Sequence, residues 1–174
     1  MNSDAPLSED RLRQGAEALA AIDPDLSSLL ARFGVPPLWP REPGFATLVQ
    51  IILEQQVSLK AAKTLFERLE QALGGVAPAT VLHAGQDGLK AQGLTRQKAR
   101  YCYELARRVN EGELPLEQLT QWSEPEGRKA LLAVPGLGPW SVDVYYLMAL
   151  RRPDVWPQGD LALAASMQEV KGLE

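Results

Sequence analysis

Two stretches of helical periodicity, one ending near Ala133 and one beginning at Trp140, are separated only by Val134-Pro135-Gly136-Leu137-Gly138-Pro139. So short a connection turns the second helix back on the first as a hairpin. Glycines at 136 and 138 let the backbone adopt conformations that a Cβ forbids, and let another chain approach closely. Pro139 suits the first turn of a helix, where an N–H is dispensable. The free amides at that helix start point outward and, with the helix dipole, favour an anion. The same pattern equally describes an αα-corner whose glycines only permit a sharp turn.

Helical periodicity runs through almost the whole chain and no stretch alternates as a strand does, so an all-α fold is expected. The pattern predicts helices over 8–22 with Ser8 as cap, 25–33, 45–54, and from a Ser58 cap to about 73. Two short helical turns follow at 78–83 and 86–92. Further helices are expected over 95–109, 115–121, 124–133 and 140–150, and another begins at Asp160. The segment 45–54 is apolar enough to be buried. Gln55-Gln56-Val57 interrupts it before the next helix starts.

The 174 residues suffice for one core, or for two small lobes sharing an interface, and are read as a single module, 1–174, with its hairpin at about 125–150. The chain stops at Glu174, just after Lys171-Gly172-Leu173, which reads either as a natural end or as a C-terminal truncation. With 45% apolar and 23% charged residues, it has the composition of a globular protein. The longest apolar run, 144–150, is too short to span a bilayer, and the polar stretch Met1 to Gln14 has no signal core. One cysteine, Cys102, excludes an internal disulfide framework and a four-cysteine cluster. One histidine, His83, leaves little material for a transition metal. A cytoplasmic protein is expected. The net charge of −4 disfavours nucleic acid, yet basic residues cluster at Arg96, Lys98 and Arg100, at Arg107 and Arg108, at Arg128 and Lys129, and at Arg151 and Arg152. The last two pairs flank the helices of the hairpin.

Residues 131–150, LLAVPGLGPWSVDVYYLMAL, resemble the helix-hairpin-helix of the base-excision DNA glycosylases. Residues 155–163, VWPQGDLAL, resemble the Gly/Pro–Asp segment of that superfamily. Residues 45–73, with ILEQQVSLKAAK, resemble the element carrying its DNA-inserting loop. Within the superfamily the chain is most similar to the 3-methyladenine DNA glycosylase II type, over roughly residues 24 to 170. It resembles a compact form: residues 1–40 offer no counterpart to the N-terminal β-rich domain of larger members, and the Trp/Arg-rich C-terminal segment has none either. The resemblance implies a two-lobed helical fold with the base cleft between lobes. It implies a monomeric, monofunctional glycosylase that flips alkylated purines such as 3-methyladenine out of double-stranded DNA and hydrolyses the N-glycosidic bond. Such an enzyme leaves an abasic site, requires no cofactor, has no membrane partner and associates with the nucleoid when bound to DNA.

The resemblance also assigns roles. Bifunctional members carry a nucleophilic lysine where this chain has Trp140, and an indole cannot form a Schiff base. Its ring can instead stack on an extruded base, or serve the core. Asp160 matches the catalytic aspartate. Cleaving the bond puts positive charge on the deoxyribose, which a carboxylate stabilises, and an alkylated purine is already a good leaving group. Asp160 is also a natural helix cap. Gln56 falls at the residue that fills the vacated stack. The second aromatic of the family's pocket falls on Val144, so the neighbouring Tyr145 becomes the base-binding candidate; Trp39 and Tyr146 rank lower. Gly136 and Gly138 would contact the DNA phosphates. The backbone carbonyls of Leu132, Val134 and Leu137 match a site for Na+ or K+. Asp143 and Asp154 read as structural or solvated. Two alternatives stay open: a non-catalytic helix-hairpin-helix DNA-binding module, and a glycosylase for deaminated or oxidised bases.

Overall fold

The computed structural model describes residues 6–173; the first five residues of the polar N-terminal stretch and Glu174 lie outside them. Among the described residues every regular element is helical. The most apolar helix, α3 (Phe45–Glu54), forms the axis of the molecule, with eight of its ten residues buried. Ile51, Ile52 and Leu53 are fully enclosed, each contributing about 1.5–3 kcal/mol. Packed around α3 are α4 (Leu59–Leu73), α6 (Arg96–Asn110) and α8 (Pro139–Val144). Ser58 caps α4 by accepting from Ala61 N–H at 3.2 Å, as the sequence predicts. Between α4 and α6 lies α5 (Pro78–Ala91), broken at Gly85, whose φ of +65° suits only glycine. The two short turns expected at 78–83 and 86–92 are thus the two halves of one kinked element. A 3₁₀ turn at Leu116–Gln118 then leads to α7 (Glu124–Leu132), the first helix of the hairpin.

The second hairpin helix departs from expectation. After α8 the chain widens into a π-helical turn, Tyr145–Ala149, in which Leu150 N–H donates five residues back to the Tyr145 carbonyl at 3.1 Å. Cys102, enclosed in this core, has its thiol pushed up to about 12 by burial and is chemically inert.

A second lobe consists of α1 (Glu9–Ile22), α2 (Pro24–Phe33) and α9 (Leu161–Lys171), none of which contains a buried residue. Ser8 caps α1 and Asp23 caps α2. Asp23 and Asp25 also receive the Lys171 ammonium, at 2.6 and 2.8 Å, which ties the end of α9 to the start of α2. No helix among the described residues is long and apolar enough to cross a membrane.

Candidate active site

Where the hairpin, the end of α3 and the loop before α9 converge, they enclose an open cleft of about 1050 Å³. Its walls include Gln55 and Gln56 from the α3–α4 junction, residues 132–141 of the hairpin, and residues 158–161. The cleft therefore gathers Asp160, Trp140, Gln56, Gly136, Gly138, Leu132, Val134 and Leu137.

Asp160 caps α9, accepting from Leu163 N–H through Oδ1 at 2.9 Å. Its other oxygen, Oδ2, accepts from the indole Nε1–H of Trp140, also at 2.9 Å. The indole hydrogen bond first, and the helix amides after it, hold this carboxyl below its ordinary value of 3.8 against the opposing cost of burial. Asp160 is a fixed anion. Trp140 is half-buried at the first turn of α8, its ring orientation set by the same bond.

Asp143, read from sequence as structural or solvated, is structural. It is buried, pairs with Arg128 of α7 at 2.6 Å and accepts from Gln158 N–H at 3.2 Å. This carboxylate therefore braces both the hairpin and the loop that delivers Asp160. Asp154 is exposed.

Gly136 has φ +93°, and a Cβ there would lie 2.5 Å from Cδ2 and 2.8 Å from Cβ of Tyr101 on α6. Gly138 needs no such freedom: its φ is −87° and a Cβ would meet nothing within 4 Å. Of the two hairpin glycines only Gly136 is demanded by the fold, and Gly138 leaves its surface open. Gly136→Ala is expected to cost about 2–4 kcal/mol through backbone strain and overpacking. Gly138→Ala should melt like the wild type. Melting curves of the pair check this, and equal stability of both variants would refute it.

Tyr145 is a correction. It is fully buried, its hydroxyl accepts from Gly44 N–H at 2.9 Å, and it does not line the cleft. The rotation along α8 that separates it from Trp140 carries it into the core. Tyr146 is likewise core, and Trp39 is exposed outside the cleft.

The basic clusters divide. Arg107 and Arg108 are occupied by Glu104, Glu111 and Glu113, and Arg128 by Glu124 and Asp143. Arg96, Lys129 and Arg151 are exposed with no ion pair among the described residues. Two site residues escaped the sequence reading. Gln55 donates through Nε2 to the Gly136 carbonyl at 2.8 Å and to Ser141 Oγ at 2.9 Å. Arg41 forms a two-bond pair with the buried Glu54, both bonds at 3.0 Å, under the same end of α3. A glutamate closing so apolar a helix was the available signal that a buried cation lay opposite.

Two short helices joined by a glycine-bearing hairpin, opening on a cleft where Asp160 is the carboxylate without a cationic partner among the described residues, define a helix-hairpin-helix protein. Residues 49–174 match the HhH-GPD superfamily of base excision DNA repair proteins, and the chain belongs to that family. Over 124 residues it is 31% identical to the protein YfjP of Bacillus subtilis, covering 67% of this chain and 43% of that one. Over 130 residues it is 30% identical to a DNA-3-methyladenine glycosylase of Saccharomyces cerevisiae, covering 69% and 44%. The chain thus spans less than half the length of these relatives. Its structure matches that of the Schizosaccharomyces pombe 3-methyladenine DNA glycosylase in complex with abasic DNA, with a TM-score of 0.85 at 22% identity. That match covers 92% of this chain and 82% of the other, and at this identity it establishes the fold.

Proposed function

We propose that this protein is a monofunctional DNA glycosylase that excises alkylated purines, 3-methyladenine among them, from duplex DNA. The observation that carries the reading is the Asp160 carboxylate, held as an anion beside Trp140 on the wall of an open cleft with ample room for an extruded base. The names of the relatives point the same way.

The chemistry follows from the charges. Alkylation at a ring nitrogen makes the purine cationic, so the glycosidic electron pair can leave with the base and neutralise it. The positive charge then develops on the deoxyribose, where Asp160 stabilises it; water adds to C1′ and releases a proton. A carboxylate whose basicity is lowered by two N–H donors serves better as a fixed negative field than as a proton acceptor. Besides Asp160 the cleft wall carries Glu54, whose carboxylate is taken up by Arg41, and Tyr101, but among the described residues no His, Cys or Lys, which favours substrates that leave without acid help. Trp140 in place of a lysine leaves no amine to attack the sugar, so the backbone stays intact. Gln56 would fill the emptied stack, and the hairpin amides at Gly136 and Gly138 would receive the phosphates. A monovalent cation would sit against the carbonyls of Leu132, Val134 and Leu137: Leu132 lies in the last turn of α7, where carbonyls lack intrahelical donors, and the Val134 carbonyl, which accepts from Leu137 N–H at 3.1 Å, would offer its second lone pair. Such an ion would supply positive potential for an approaching phosphate.

The test is to incubate the protein with methylated duplex DNA, chromatograph the released bases, and treat the DNA with hot alkali. Free 3-methyladenine, with strand breaks only after alkali, is expected. Firm duplex binding without base release would leave a DNA-binding module and overturn the reading.

Trp140→Phe separates the two uses of the indole, because it keeps an aromatic face but loses the N–H. Removing the largest cause of the lowered Asp160 pKa must raise that pKa. The acid limb of base release is therefore expected at higher pH in Trp140→Phe than in wild type, with about tenfold slower release at neutral pH. Coincident acid limbs in the two proteins would show that the indole does not tune the carboxylate.

A further inference from the structure

We propose that Lys98 is a positioning residue that clamps the end of α3, so that Gln56 is presented to the duplex in its left-handed conformation. The proposal rests on the glycosylase reading above. Four polar contacts carry it. The last carbonyls of a helix lack intrahelical donors, and at the end of α3 Lys98 Nζ donates to the Leu53 carbonyl at 2.7 Å and the Gln55 carbonyl at 2.9 Å. The side chain of Gln55 is meanwhile bound to the hairpin at the Gly136 carbonyl and Ser141 Oγ. Residue 55 is therefore held through its main chain by α6 and through its side chain by α8. The next residue, Gln56, is exposed with φ +60°, a conformation that a non-glycine residue keeps only where its surroundings over-determine it. Residue 55 is where those surroundings act.

Lys98 is itself well placed for this. The Thr95 side chain caps α6 by accepting from Lys98 N–H at 3.2 Å, which fixes the first turn from which the ammonium reaches across. The side chain is half-buried and makes no ion pair among the described residues, so its donors are spent on α3 carbonyls. Its charge also opposes the negative end of the α3 dipole at the point where a phosphate backbone would arrive.

A clamp that acts through the inserting residue matters only when a base must be pulled from a stack. The test therefore compares release of 3-methyladenine from duplex DNA and from the same strand unpaired. Lys98→Met, which keeps the aliphatic stem, is expected to slow duplex release on the order of tenfold while single-strand release stays within about twofold. Lys98→Arg should recover most of the loss. In a Gln56→Ala background, Lys98→Met should add no further loss, because both act on one step. Lys98→Gln, which retains donors for the carbonyls, is the second variant should Lys98→Met fold poorly, and its duplex loss should be the smaller. Equal losses on both substrates, or losses that multiply with Gln56→Ala, would assign Lys98 a general structural role and overturn the proposal. A wild type that releases base while Lys98→Met matches it on the duplex sinks the clamp alone. A wild type that releases nothing from either substrate sinks the glycosylase reading, and the clamp with it.

Discussion

Asp160→Asn should fold, bind duplex DNA, and release methylated bases at least ~10²-fold more slowly than the wild type. Asparagine caps helices about as well as aspartate, so the bond from Leu163 N–H to the side-chain oxygen survives and α9 keeps its start. What disappears is the negative charge that the proposed mechanism sets against the sugar, together with the charge-assisted acceptor for the Trp140 indole. Asp160→Ala goes further by removing the cap, adding about 1 kcal/mol of instability to the same kinetic loss. Rates of base release, set beside melting curves of both variants, separate field from cap. Near-wild-type release by Asp160→Asn would mean that the carboxylate is only a cap.

The largest effect on stability is expected at a residue that never touches substrate. Arg41 and Glu54 form a two-bond pair with side chains only 19% and 7% exposed. Arg41→Met leaves a carboxylate enclosed without its cation, a change that costs about 3–5 kcal/mol. For a chain of this size that lowers Tm by roughly 6–20 °C. Adding Glu54→Leu should restore most of the loss, because two apolar side chains need no desolvation to be paired. Calorimetry of the single and double variants measures both effects, and an unchanged Tm in Arg41→Met would deny the pair any structural weight. Since Glu54 closes α3 one residue before Gln55, the single variant should also disorder the α3–α4 junction that carries Gln56.

The features legible in the sequence were those fixed by local chemistry. The apolar run at 45–54, the Ser8 and Ser58 caps, and the interruption between the turns at 78–83 and 86–92 each depend on neighbours a few residues away. That Asp160, Trp140 and Gln56 would line one cleft was legible because their motifs keep a fixed order along the chain. Tyr145 was misplaced because positions 144 and 145 are both buried in the core and neither reaches the cleft wall, an outcome set by packing against α3. Gln55, Lys98 and Arg41 were missed because their partners lie far off in sequence: Gly136 and Ser141 for Gln55, Leu53 for Lys98, Glu54 for Arg41. A basic cluster and a Gln-Gln pair carry no sign of the carbonyls they will meet. Net charge says little for a related reason: it averages over the surface, where Arg107 and Arg108 are taken by glutamates of their own neighbourhood while Arg96, Lys129 and Arg151 stay exposed.

Asp160 belongs by chain to α9, in a lobe that buries no side chain, and by contact to the better-packed body through Trp140 and through Asp143, which holds Gln158. Regions with little buried apolar surface open at low free energy, well below global unfolding. When α9 frays, the carboxylate keeps its seat on the indole while the helix behind it loosens. The Asp160 carboxylate is thus tied to α9 through one oxygen and to the body through the other, so sequence drift in the loose lobe can proceed while the indole still marks where the charge sits.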